Sequence, residues 1–222
     1  MQLLQTPLGE LARATPSSTR VFLRHRLDFC CGGRRTLAEA CASAGIDPAM
    51  ILQELALEAE RGGTEIRWET RTQTELANFI ESHYHAAIRR DLPTLIEAAR
   101  KVERVHAAKP GVPAGLGDVL RDFLDEMQRH MAKEETILFP LIRRGGRGEA
   151  VYMPVRVMES EHDNHRDELA TIRELTDDFQ VPAHACATWK ALYHGLETFE
   201  AELMEHIHLE NNLLFARATG RG

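Results

Sequence analysis

Positive charge is in short supply in this chain. Its 222 residues carry 27 lysines and arginines against 34 aspartates and glutamates, a net charge of −7 with the histidines neutral. Binding a phosphate backbone takes a basic surface, so a nucleic-acid partner is excluded. Long apolar runs are absent too. None approaches the roughly 20 residues that cross a bilayer, so no membrane partner is expected. The opening residues, Met1-Gln-Leu-Leu-Gln-Thr-Pro7, lack a basic stretch followed by an apolar core. That gives no secretory signal, and the expected location is cytoplasmic. Cysteines number only four, Cys30, Cys31, Cys41 and Cys186, which do not make a disulfide framework in a chain of this size. What is present is 43% hydrophobic residues, enough for a real core, and eleven histidines, many for this length.

The histidines are patterned. His130-Met-Ala-Lys-Glu134 recurs 76 residues later as His206-Ile-His-Leu-Glu210, and each copy runs into a similar apolar exit, Ile137-Leu138-Phe139 and Leu213-Leu214-Phe215. His85 and His162 precede the two copies by 45 and 44 residues. The chain thus holds a duplicated helix pair, each with an upstream histidine and an HxxxE segment. Residues i and i+4 share one helix face, about 5–6 Å apart at Cβ, which suits two ligands of one metal centre. Four histidines and two glutamates point to a two-metal site inside a four-helix bundle.

Punctuation divides the chain near residues 61–72, where Arg61-Gly-Gly-Thr interrupts a helical run. Residues 1–65 read as a small helical domain. Thr36 with Glu39 forms a capping box that starts a helix to about Ser43, and Asp47-Pro48 starts the next. Asp28-Phe-Cys-Cys-Gly-Gly33, ahead of them, reads as a turn. Residues 72–218 read as four long helices with one apolar stripe each. Pro93 should kink or break the first. The second stripe runs through Met127, His130, Glu134, Ile137 and Leu141, and the third from Val151 through His162 and His165 to Phe179. All six candidate ligands, His85, His130, Glu134, His162, His206 and Glu210, fall on core-facing stripes. A buried glutamate is costly unless paired or bound to a cation. The four stripes can close on one another without the first domain.

Six ligands are too many for one tetrahedral zinc, and four imidazoles argue against calcium or magnesium. Imidazole with carboxylate suits iron, with manganese the weaker alternative. Two histidines per iron and two bridging glutamates leave room for a bridging oxygen and one open position on each metal. Cys30 and Cys31 stand before a helix N-terminus with Arg34 and Arg35 nearby. That setting should lower a thiol pKa and makes the pair candidate redox thiols; Cys41 and Cys186 read as structural. Glu126, one turn before His130, and Glu161, beside His162, are candidate carboxylates behind the ligand histidines.

Taken together, Asp28-Phe-Cys-Cys-Gly-Gly-Arg-Arg-Thr-Leu37, Lys101-Val-Glu-Arg-Val-His106, His130-Met-Ala-Lys-Glu-Glu-Thr-Ile-Leu-Phe-Pro140, Met158-Glu-Ser-Glu-His-Asp163 and His206-Ile-His-Leu-Glu-Asn-Asn212 resemble the Repair of Iron Centers family. The resemblance covers nearly the whole chain. It implies an all-α protein with a short cysteine-bearing domain and a hemerythrin-like antiparallel four-helix bundle. It implies two non-haem iron ions, oxo-bridged when oxidised, on the same six ligands, His85 rather than His83 and Glu134 rather than Glu135. The implied role is repair of iron–sulfur clusters damaged by nitric oxide or peroxide, with damaged iron–sulfur proteins as partners. Two other readings stand beside it: a di-iron nitric oxide reductase or peroxidase, and a hemerythrin-like O₂ or NO sensor. The sequence fits a monomer or a homodimer.

Overall fold

The computed structural model describes residues 2–61 and 67–221, all of them helical or loop apart from one isolated bridge between Pro7 and Thr36. The glycine interruption after Arg61 lies outside the described residues. The first domain packs four short helices, α1 (Leu8–Ala14), α2 (Ser18–Arg24), α3 (Leu37–Ala44) and α4 (Pro48–Arg61). The Thr36–Glu39 capping box is formed reciprocally, and α3 stops at Gly45 in the left-handed conformation. Leu8, Phe22, Phe29, Leu37 and Ile51 close its small core.

The bundle comes next. Its first helix joins α5 (Gln73–Ile80) and α6 (Ala86–His106), and its second joins α7 (Leu116–Lys133) and α8 (Phe139–Arg143). The third is α9 (Glu149–Leu175), and the fourth joins α10 (Ala187–His208) and α11 (Phe215–Thr219). A second capping box, Thr72 with Glu75, starts α5. Consecutive helices are neighbours, and the fourth closes on the first. Two apolar clusters fill the interior. One, with Leu76, Phe139, Val155 and Phe215, sits at the end nearest the chain entry to the bundle. The other, with Leu92, Phe123, Trp189 and Leu196, fills the far end.

Three of the four helices contain a π turn, at Glu81–His85, Glu134–Leu138 and Leu209–Leu214. Each inserts an extra residue and shifts the register of the helix beyond it. The second stripe shows the effect. Ile137, expected inside, is 52% exposed, while Leu138, Phe139 and Ile142 are buried instead. Pro93 breaks nothing, because α6 passes through it without interruption. Pro93 and Arg89 are both exposed, so the Arg89 carbonyl that loses its partner faces water. The third stripe ends early. α9 stops at Leu175, and Phe179 lies beyond it in a turn where Asp177, Asp178 and Phe179 all take positive φ.

The first domain is not a separate bead. Cys30 belongs to the far apolar cluster of the bundle, and Met204 of α10 packs against the first domain's core. The Phe29 ring meets His208 edge-on at 5.5 Å. The first domain therefore covers one side of the fourth helix.

Candidate metal centre

The six candidate ligands meet between the two apolar clusters, each at most 1% exposed. The π turns place three of them: His85 ends one, Glu134 begins another and Glu210 lies in the third. They form two sets, His85, Glu134, His206 and Glu210, and His130, Glu134, His162 and Glu210, with all donor atoms of a set within 4.8 Å of one another. Both sets share both glutamates. Glu134 Oε2 lies 3.4 Å from His85 Nε2 and 3.4 Å from His130 Nε2. Glu210 Oε1 lies 3.0 Å from His206 Nε2, and its Oε2 lies 3.1 Å from His162 Nε2.

These contacts are close but poorly aligned for hydrogen bonds. His85 Nε2, His206 Nε2 and all four carboxylate oxygens of Glu134 and Glu210 have no hydrogen-bond partner among the described residues. Buried polar atoms left this way cost roughly 1–3 kcal/mol each, more when charged. They converge on common points rather than on one another. Two cations would satisfy them, and the donor set, imidazole plus carboxylate, fits iron.

Protonation obeys the same logic. Burial favours a neutral His85, but the Glu134 and Glu210 carboxylates outweigh it and raise its pKa to about 10. The balance at His162 is similar, with burial opposed chiefly by Glu210, and lifts it to about 9. Burial, then the Glu210 charge, pushes Glu134 up to about 8. Glu210 is also buried, yet His206, His162 and His85 hold it well below the usual carboxylate range. His130 goes the other way, down to about 3, through burial against the pull of Glu161. At neutral pH the metal-free cage thus holds protons on His85, His162 and Glu134 that a cation must displace. Metal uptake is expected to release protons and to strengthen steadily between about pH 6 and pH 9. Indicator-dye titration in weak buffer checks this, and uptake without proton release contradicts it.

The histidines are steered from behind. Glu135 Oε1 lies 2.7 Å from His85 Nδ1 and is itself clamped by Arg89. Glu161 Oε2 lies 2.9 Å from His130 Nδ1, and Glu161 also meets Lys133. Asn211 Oδ1 lies 2.8 Å from His162 Nδ1. Each contact occupies Nδ1 and turns Nε2 inward, the usual way a second layer orients a ligating imidazole. Rings wall the cage: Phe139 stacks near His85, Phe215 near His162 and Tyr84 near His206. Glu161 thus stands behind a ligand candidate, held ionised near pKa 2 first by its bond to His130. Glu126 stands elsewhere, grouped with Glu168 and His165. Its carboxyl is raised by a hydrogen bond with Glu168. His165 is buried, with Nδ1 3.2 Å from Glu168. Glu135 and Asn211 escaped the sequence reading. The repeat could have shown them, because each directly succeeds a shared glutamate and holds a histidine of another helix.

The cysteine turn docks on this site. Asp28 Oδ1 accepts from the backbone N–H groups of Cys30 and Cys31. Asn211 and Asn212 donate to the Cys30 carbonyl. Cys31 Sγ lies 3.5 Å from the His162 carbonyl and 3.8 Å from Cys30 Sγ. Both thiols line a cavity of about 610 Å³ with Arg13, Arg34, Asp163 and Asn211. The expected fall in thiol pKa does not appear at Cys30. Its hydrogen bond with Cys31, burial and the Asp28 charge push it well up. Arg34 and Arg35 are exposed to solvent, and Thr36 and Glu39 already cap the helix end.

Comparison with known proteins agrees with this geometry. Residues 78–218 match the hemerythrin HHE cation binding domain, and residues 4–59 match a domain of unknown function, DUF542. An iron-sulfur cluster repair protein YtfE of Yersinia pseudotuberculosis serotype IB (strain PB1/+) is 48% identical over 212 residues, 95% of each chain. The protein of the same name from Yersinia pestis (strain Pestoides F) matches equally well. The chain belongs to the family of iron-sulfur cluster repair protein YtfE. It shares nearly its whole length with these relatives, the hemerythrin-type bundle and the domain that carries the cysteine turn alike. The buried histidines and glutamates form a metal site of the hemerythrin cation-binding kind. No helix of the described residues is long and apolar enough to cross a membrane.

Proposed function

We propose that this protein restores damaged iron–sulfur clusters with iron held at the shared-glutamate cage, one ion in each set. The observation that carries the reading is the sharing itself: two four-residue sets, one buried pair of glutamates in both, in a chain whose relatives are named for cluster repair. Iron there would supply exchangeable metal or electrons. The chain's own residues do the rest. Glu135, Glu161 and Asn211 aim the imidazoles. The rings of Tyr84, Phe139 and Phe215 keep bulk water from the cage. Ligands that take up protons give the site a path to release its cargo, because a proton arriving at Glu134 or His162 weakens its hold on a cation.

Cys31 stands against the backbone of His162, so the thiol pair is placed to pass electrons or NO to and from the cage. The partner is an iron–sulfur protein that has lost iron to nitric oxide or peroxide. The test adds iron-loaded protein to an NO-damaged iron–sulfur hydratase and monitors its activity. Recovery faster than with the same amount of free ferrous ion supports repair. Equal recovery from free iron contradicts it, and N₂O formed from NO with a reductant would favour the reductase reading instead.

Glu161 offers a narrower check. Glu161→Gln keeps the shape but removes the charge behind His130. Metal affinity is expected to fall about 10-fold, the lower end for loss of such a partner. Competition with a chelator measures it, and unchanged affinity would make Glu161 a surface charge paired with Lys133.

A further inference from the structure

A second pair of chemically active side chains lies at the opposite end of the bundle. His106 is the last residue of α6, 21 positions after His85. At 1.5 Å per residue that is roughly 30 Å from the metal cage. Its Nε2 lies 3.1 Å from Cys186 Sγ. Cys186 is the N-cap of α10, and its carbonyl accepts the first helical bond, from Lys190. The two helices are packed neighbours.

Each partner therefore occupies the helix end that suits its charge. The open N–H groups at an N-terminus favour a thiolate, and the open carbonyls of a last turn favour an imidazolium. A proton moving from sulfur to His106 Nε2 leaves both charges on the favoured side. The backbone N–H groups of Trp189 and Thr188 hold the Cys186 thiol below its ordinary pKa. Trp189, fully buried, floors the site with its ring 5.3 Å from that of His106 and 5.7 Å from that of His184. Its indole Nε1 has no hydrogen-bond partner among the described residues. Cys186 is partly open to solvent, whereas Cys30 and Cys41 are buried with their thiols pushed up. By sequence Cys186 reads as structural; the fold brings it against His106, 80 positions away in the chain.

We propose that Cys186 and His106 form a peroxide-reactive thiol site separate from the metal centre. The thiol proton passes to His106 Nε2, and sulfur attacks one oxygen of hydrogen peroxide. The S–O bond forms as the O–O bond breaks. Sulfur is oxidised to the sulfenic acid, and the departing hydroxide takes the proton from His106 and leaves as water. His106 acts here as a proton relay, while Cys186 is the group that touches the oxidant.

The experiment uses the full chain and resolves each cysteine by peptide mass spectrometry. Iodoacetamide alkylation is timed across pH, and sulfenic acid formed with hydrogen peroxide is trapped with a cyclic dione. Cys186 is expected to alkylate with a midpoint below the ordinary thiol value of about 8.5, and to trap more sulfenic acid than Cys41. His106→Gln is expected to slow both reactions about 10-fold, with metal content unchanged, as the distance from the cage requires. An ordinary midpoint for Cys186 in the unmodified protein overturns the proposal, and so does a rate that His106→Gln leaves alone. Should His106→Gln fail to fold, the pH profile of the unmodified protein decides by itself.

Discussion

Glu134→Ala and Glu210→Ala are each expected to lower bound iron from two ions per chain to below one. Each glutamate belongs to both four-residue sets, so either substitution removes a ligand from both sets at once. A histidine substitution touches one set only and should cost less. The loss should also lower stability. The surviving carboxylate stays fully buried among imidazoles, and an uncompensated buried charge of this kind costs about 3–5 kcal/mol. In Glu210→Ala the survivor is Glu134, whose pKa burial already raises, so protonation relieves part of that cost there. Iron analysis alongside thermal unfolding checks both parts. Full iron in either variant would show that its carboxylate is not shared between two ions.

The second large effect concerns the cysteine turn. The Cys30→Ser, Cys31→Ser double variant is expected to keep its iron while losing cluster repair by about 10-fold or more. Neither sulfur is a member of the two shared-glutamate sets. Serine fits the same Asp28 turn, whose hydrogen bonds come chiefly from the backbone. What serine cannot supply is thiol chemistry. Cys31 is the partly exposed member, set beside His162 and the cavity. Recovery of a damaged iron–sulfur enzyme, with iron content measured in parallel, separates the two roles. Full recovery would make the pair structural. Removing residues 1–65 altogether is a harsher change, because it uncovers His208, Met204 and the asparagines that hold Cys30.

Much of the molecule was legible in the chain because two physical signals are local. Four apolar stripes of helical period define a bundle whatever the loops do. A buried HxxxE repeated in the chain defines a cation site because few other partners satisfy two buried glutamates. The capping box at Thr36 was legible for the same reason, being a contact within four residues. What escaped depends on register or on distance. A 3.6-residue period carried through Glu134 puts Ile137 inside, but the π turn there adds a residue and turns it outward. Glu135 and Asn211 act on histidines of other helices. The Cys30 thiol is pushed up by its bond to Cys31, then by burial against the bundle and by the Asp28 charge, and no spacing reveals the burial. Cys186 and His106 meet only because α6 ends where α10 begins, side by side.

Two irons sharing Glu134 and Glu210 would be directly visible. The most direct measurement is an anomalous difference map at the iron edge from crystals of the iron-loaded protein. Two peaks are expected, one against His85 and His206 and one against His130 and His162, both in contact with both glutamates. A single peak, or a peak held instead by Glu126, His165 and Glu168, would contradict the account.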